Sequence, residues 1–168
     1  MKDNDMFRMI FILLMGFSIM GLTACSKNEV VVASKPFPPL ENRIAVFAFE
    51  NYTDTPQAGK RAANLMEGLL NAKGYRTVKQ IDEQKRSLAN ARSLAKALNI
   101  RYILVGGVSE WRYKTGIDGE PAVSLTVKLL DVQSGKVFWS ATGSDNSWGN
   151  ASIGTTAQNL MIQMIKQP

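Results

Sequence analysis

Residues Val123 to Thr142 read VSLTVKLLDVQSGKVFWSAT, a stretch that sets the type of sheet this chain can build. Val123, Leu125, Val127 and Leu129 alternate with Ser124, Thr126 and Lys128, the period of two expected of an antiparallel strand with one face buried. Gln133-Ser134-Gly135 supplies a tight turn into Val137 to Thr142, so the two runs pair as a hairpin. Upstream, Arg43 to Phe49 (RIAVFAF) is a continuous, partly β-branched apolar run, as expected of a strand covered on both faces. A hairpin and a doubly covered strand in one chain imply a mixed sheet with helices packed on it.

The segments between them fit that plan. Glu50 to Pro56 is a polar turn leading into a helix whose Ala62, Leu65, Met66, Leu69 and Leu70 share one face. Gly74 stands where a left-handed C-cap would end it. Arg76 to Val78 reads as a short strand, and Ser87 to Leu98 as a second helix turning Leu88, Ala91, Ala95 and Leu98 inward. Arg101 to Trp111 is a further strand, in which Gly106-Gly107 signals a bulge or a close backbone approach. Lys114 to Pro121 is a loop rich in turn residues. Ile153, Ala157, Leu160, Met161 and Met164 form the apolar face of a last helix. The expected fold is a single α/β domain over residues 42–168, in the order β-α-β-α-β-β-β-α, without internal repeats.

The N-terminus has a different character. Lys2 and Arg8 precede an apolar run from Met9 to Leu22, shorter than the roughly 20 residues of a spanning helix. Leu22-Thr23-Ala24-Cys25 matches the lipobox of bacterial lipoprotein signals, in which the thiol takes the diacylglyceryl group. Residues 1–24 are therefore expected to be a signal peptide, with Cys25 as the lipid-attachment residue; two or more acyl chains give stable anchoring where one does not. Ser26 in place of Asp favours the outer membrane under enteric-type sorting. Residues 25–41 are expected to be acylated cysteine and tether, extended at Lys35 to Pro39. Val30 to Val32 alternatively add an edge strand to a neighbouring subunit.

Composition excludes several chemistries. With no histidine, His-based acid–base catalysis, Ser-His-Asp and Cys-His sites and the usual zinc sites are all absent. The single cysteine allows no disulfide framework. No carboxylate pair carries a glycosidase or metal signature, so neither enzymatic activity nor a cofactor or metal is expected. The net charge of +6 survives loss of the signal, because Lys2, Arg8, Asp3 and Asp5 cancel. Its basic residues are scattered, which suits anionic headgroups better than nucleic acid.

At Val46 to Pro56 (VFAFENYTDTP) the chain resembles bacterial envelope proteins that include the CsgG curli exporter, the LpoB lipoprotein and the N-terminal domain of TolB, which share an F-x-N-x-T-like turn. Thr55 to Gly59, Glu110 to Thr115, Gly119 to Val123, the hairpin LKLLDVQSGKVFWSATG and Ser147-Trp148 narrow the resemblance to the PelC family, over most of residues 43–165. That resemblance implies a non-enzymatic outer-membrane lipoprotein forming a periplasmic ring, a dodecamer in the family. The ring would work with a PelB-like outer-membrane porin, guiding a cationic exopolysaccharide (Pel) of the biofilm matrix through an acidic lining.

The same resemblance assigns the site residues. Asp118 and Glu120 are the acidic pair expected to face the polymer, although Asp118-Gly119 equally describes a solvated turn. Trp148, outside any apolar period, is expected at the membrane interface, or packed against a neighbouring subunit or under its own loop. Arg61 is expected either near lipid headgroups or on a solvated helix face, and Trp111 and Trp139 in the core or at a subunit interface. A different class of function is an LpoB-like regulator of a periplasmic cell-wall synthase, disfavoured by the short tether. A CsgG-like pore would need long extra amphipathic strands, and none is visible.

Overall fold

The computed structural model describes residues 29–32, 35–80, 88–115, 119–147 and 151–166. The strands are β1 (Glu29–Val32), β2 (Arg43–Phe47), β3 (Glu50–Asn51), β4 (Arg76–Gln80), β5 (Tyr102–Tyr113), β6 (Pro121–Asp131) and β7 (Val137–Asn146). The helices are α1 (Ala58–Ala72), α2 (Leu88–Ala97) and α3 (Ile153–Ile165). The sheet order is β1-β7-β6-β5-β2-β4, with β3 pairing the far half of β5. β2 runs parallel to β4 and β5, whereas β5, β6, β7 and β1 pair antiparallel, so the sheet is mixed as expected.

The alternation in β6 does what its period requires. Val123, Leu125, Val127 and Leu129 are buried on the face covered by α1 and α3, in a core shared with Ile44, Val46, Met66, Leu70 and Leu160. On the opposite face α2 covers only one part, over Ala45, Phe47, Ile103 and Leu130. Trp111 and Trp139 are both core residues.

Three expectations are corrected. The fold begins before Asn42: β1 pairs with β7 of its own chain, Glu29 opposite Ser144 and Val32 opposite Ala141, so Val30 to Val32 extend this subunit's sheet. Phe37 is 3% exposed and sits edge-on to Tyr75 and Trp139, while Tyr75 Oη donates to the Pro38 carbonyl at 2.8 Å. Burying this aromatic gives the proline-rich stretch a fixed course that its composition alone does not announce. The strand expected over 43–49 breaks after Phe47; Phe49 turns into the core and β3 continues along β5. Leu98 is 42% exposed, and Ile100 is buried in its place. Asn99 is left-handed (φ 51), and the Asn99 and Ile100 N–H groups bond back to Lys96 and Ala95. This termination swings the residue after the turn onto the helix and leaves Leu98 outside. Gly74 (φ 93) ends α1 in the same way, with Gly74 and Tyr75 bonding back to Asn71 and Leu70.

Candidate functional site

One end of the sheet holds the two sequence-predicted residues that are described, Arg61 and Glu120. β5 finishes there at Tyr113, beside the start of β6 at Pro121, and β7 finishes there at Asn146, beside Ala122. The start of α3 is tied to it, since Tyr113 Oη accepts from the Ile153 N–H and the Thr156 hydroxyl donates to Ser147 Oγ at 3.0 Å. Ser152 caps α3 by accepting from the Thr155 N–H. α1 starts at the same end, where the Thr55 hydroxyl donates to the Trp111 carbonyl at 2.6 Å. Glu29 is here too, opposite Ser144.

Arg61 is exposed in the first turn of α1, next to Lys60. That turn holds no acidic residue and its Gln57 cap makes no side-chain bond, so both cations run against the helix dipole. Glu120 is half-buried and pairs with Lys114 at 3.8 Å, while its carbonyl accepts from the Lys114 N–H at 2.7 Å. Cys25, Asp118 and Trp148 lie outside the described residues. The residues that bracket the latter two, Thr115 and Gly119 on one side and Ser147 and Ala151 on the other, belong to this end.

The part of the sheet that α2 leaves open carries three adjoining hollows. The first, about 440 Å³, runs from Tyr52 to Asp54 past Ser109, Glu110 and Ser124. The second, about 450 Å³, lies between Tyr52, Glu50 and Lys128 over the Gly106-Gly107 backbone. The third, about 260 Å³, reaches along Ser124 and Thr142 to Val31 and Glu29. Tyr52 is 72% exposed, and its ring lies so close to Gly107 that a Cβ there would stand 2.8 Å from it. A Cβ on Gly106 would meet the Thr126 carbonyl oxygen at 2.8 Å and the Phe49 ring. The glycine pair therefore marks close approach on both faces, and the register shift comes one step later, between Val108 and Glu110.

The F-x-N-x-T turn is explained by its bonds. Asn51 Oδ1 accepts from the Thr53 N–H and hydroxyl, Asn51 Nδ2 donates to the Thr55 carbonyl, and the Tyr52 N–H donates to Val108. The turn residues therefore hold Tyr52 on the open face. Glu110 faces the same hollow, 2.9 Å from Arg112 and 3.5 Å from the Ser124 hydroxyl. Tyr52, Glu50, Asp54 and Glu110 were not singled out by sequence as site residues. The available signal was an aromatic inside the turn motif together with two glycines in a strand.

Asp145 is 2% exposed on the helix-covered face of β7, and its Oδ1 has no hydrogen-bond partner. Burial pushes its carboxyl above the usual range, partly offset by the Asn146 N–H. Asp131 behaves oppositely. Burial raises its carboxyl, but the Ser134 N–H and hydroxyl, Arg101 at 2.7 Å and the Gln133 N–H together hold it below its ordinary value. Among the described residues no helix is long and apolar enough to cross a membrane.

No family model matches the chain, and no curated protein matches it by sequence. Solved structures do. The PelC dodecamer from Paraburkholderia phytofirmans superposes with a TM-score of 0.73 at 36% identity, covering 83% of this chain and 96% of that one. A point variant of the same protein, also a dodecamer, gives 0.71 at 36% identity, with 82% and 96% covered. Lipoprotein GNA1162 from Neisseria meningitidis shares the fold at 19% identity and a TM-score of 0.56, with 73% and 96% covered. With more than a third of its residues identical to PelC across the folded domain, this chain belongs to the PelC family.

Proposed function

We propose that the chain is an outer-membrane lipoprotein, acylated at Cys25, whose copies assemble a dodecameric ring on the periplasmic face. The ring assists export of a cationic exopolysaccharide, Pel, through a PelB-like porin for the biofilm matrix, and it works without catalysis. The observation that carries this reading is the 36% identity to a protein solved as a dodecamer, over 82% of this chain.

The geometry supports a particular seating. Only Ser26, Lys27 and Asn28 separate Cys25 from β1, so the anchor is within about 14 Å of Glu29 even when fully extended. That span favours setting the Glu29 end of the sheet against the bilayer. Arg61 and Lys60 would then meet anionic headgroups, which relieves their conflict with the helix dipole, and Trp148 would sit at the interface. Asp118 and Glu120 remain the proposed acidic pair beside the polymer path, Glu120 moderated by Lys114.

Native mass spectrometry of the acylated protein in detergent tests the assembly. A dodecamer is expected, and a strictly monomeric particle would overturn the ring. Charge reversal at Asp118 and Glu120 is expected to reduce secretion while leaving the ring intact; undiminished secretion would remove them from the polymer path.

A further inference from the structure

We infer that the trough on the open sheet face binds an amino-sugar chain, with Tyr52 as its stacking platform and Glu50, Asp54 and Glu110 as partners of its ammonium groups. The inference rests on the export reading for the class of polymer the protein meets, and the trough itself is built within one subunit.

The two larger hollows join at Tyr52, and each falls in the range of roughly 300–1,000 Å³ usual for small-ligand sites. An aromatic side chain 72% exposed yet seated against Gly107 presents a flat surface already held in place. The Asn51–Thr53–Thr55 bonds fix its backbone, so little ordering is needed on binding. Around it the lining combines two chemistries. Ser109, Ser124 and Thr126 are hydroxyls that both donate and accept, as a sugar requires. The carboxylates only accept, and together with the phenol face they attract a cation.

Charge distribution points the same way. The chain is basic overall, yet among the described residues the three hollows bring together Glu29, Glu50, Asp54 and Glu110 against Arg112 and Lys128; with Glu110 and Arg112 paired, Glu29, Glu50 and Asp54 still outnumber Lys128. This is the segregation of acids that attraction of a cation by a basic protein requires. The same lining disfavours a contact between subunits. Interface cores are depleted in Ser, Asp and Glu, and among the described residues the large apolar side chains exposed along these hollows are Tyr52 and Val31.

The test is calorimetric titration of the acylated full-length protein in detergent with a fully deacetylated glucosamine hexamer and with its N-acetylated counterpart. The ammonium form is expected to bind about tenfold more tightly than the acetylated form, with an advantage that shrinks as salt is added. Tyr52→Ala and Glu110→Gln are each expected to weaken it about tenfold, whereas Val137→Ala, at the far end of the sheet, leaves it unchanged. Absence of binding, equal affinity for the acetylated hexamer, or wild-type affinity in Tyr52→Ala would overturn the inference. Native mass spectrometry on the same samples separates the remaining outcomes. If Tyr52→Ala dissociates a ring that the wild type forms, the face is a subunit contact and the inference fails. A monomeric wild type that still binds the hexamer overturns the ring alone.

Discussion

Asp131 and Asp145 stand on the two arms of one hairpin, and their surroundings drive them in opposite directions. Opposite Asp145 on β6 stands Val123, and α3, packed over that face, has no charged side chain between Ile153 and Ile165. With its carboxyl raised by burial, the folded protein holds a proton more tightly than the unfolded chain does. Stability therefore falls as pH rises from the ordinary carboxylate range through the folded value. Asp145→Asn is expected to remove that slope and to stabilise the protein at neutral pH by on the order of 1 kcal/mol. Thermal melts between about pH 4 and 8 would check this, and a variant less stable than wild type at neutral pH would refute it. Asp131, held low by Ser134 and Arg101 at the hairpin turn, contributes stability above the unfolded value that is lost as pH falls through its folded one.

Helix α1 contains two glycines with opposite reasons for being there. Gly59 lies where the first turn crosses the β2–β3 step, and a Cβ on it would overlap the Phe49 carbonyl. Gly68, on the exposed side of the same helix, has nothing within 4 Å of that position. Gly59→Ala should cost about 1–3 kcal/mol or more through overpacking, while Gly68→Ala should gain about 0.5–1 kcal/mol from helix propensity. Urea midpoints of the two variants give the comparison, and a tolerated Gly59→Ala would show that the strand step can shift. The periodicity of α1 announced its buried face, with Leu65 and Leu69 at the half-buried margin. It did not announce Gly59, because the clash involves a backbone brought in by a separate strand.

For the molecule as a whole, the incorporation of β1 into the sheet changes what the N-terminal segment can do. Of the expected tether of residues 25–41, Glu29 to Val32 are paired with β7 and Phe37 is packed against Tyr75 and Trp139, so these described parts belong to the fold. With Cys25 acylated as proposed, only Ser26 to Asn28 would lie between the anchor and the sheet, and such a domain would have little freedom to reach across the periplasm as a long-tethered regulator must. Inserting about twelve Gly/Ser residues after Lys27 adds a coil of roughly 20 Å. The insertion should leave acylation and oligomer size intact while reducing polymer export. Undiminished export would show that close seating is unnecessary.

By itself the sequence determined the hairpin after Val123, the faces of α1 and α3 and the glycine cap at Gly74. Each of these is written in a local period or a local dihedral preference, within reach of a few residues. Only the tertiary structure decided that Val30 to Val32 belong to their own subunit's sheet, that Ile100 rather than Leu98 is buried, and that one carboxylate oxygen of Asp145, Oδ1, is buried without a partner. It also decided that Tyr52 lies over Gly107 and shares a trough with Glu110. These outcomes depend on pairing between segments far apart in the chain. A short valine run, an exposed tyrosine and scattered carboxylates have no period of their own, and acquire meaning only from what the sheet sets beside them.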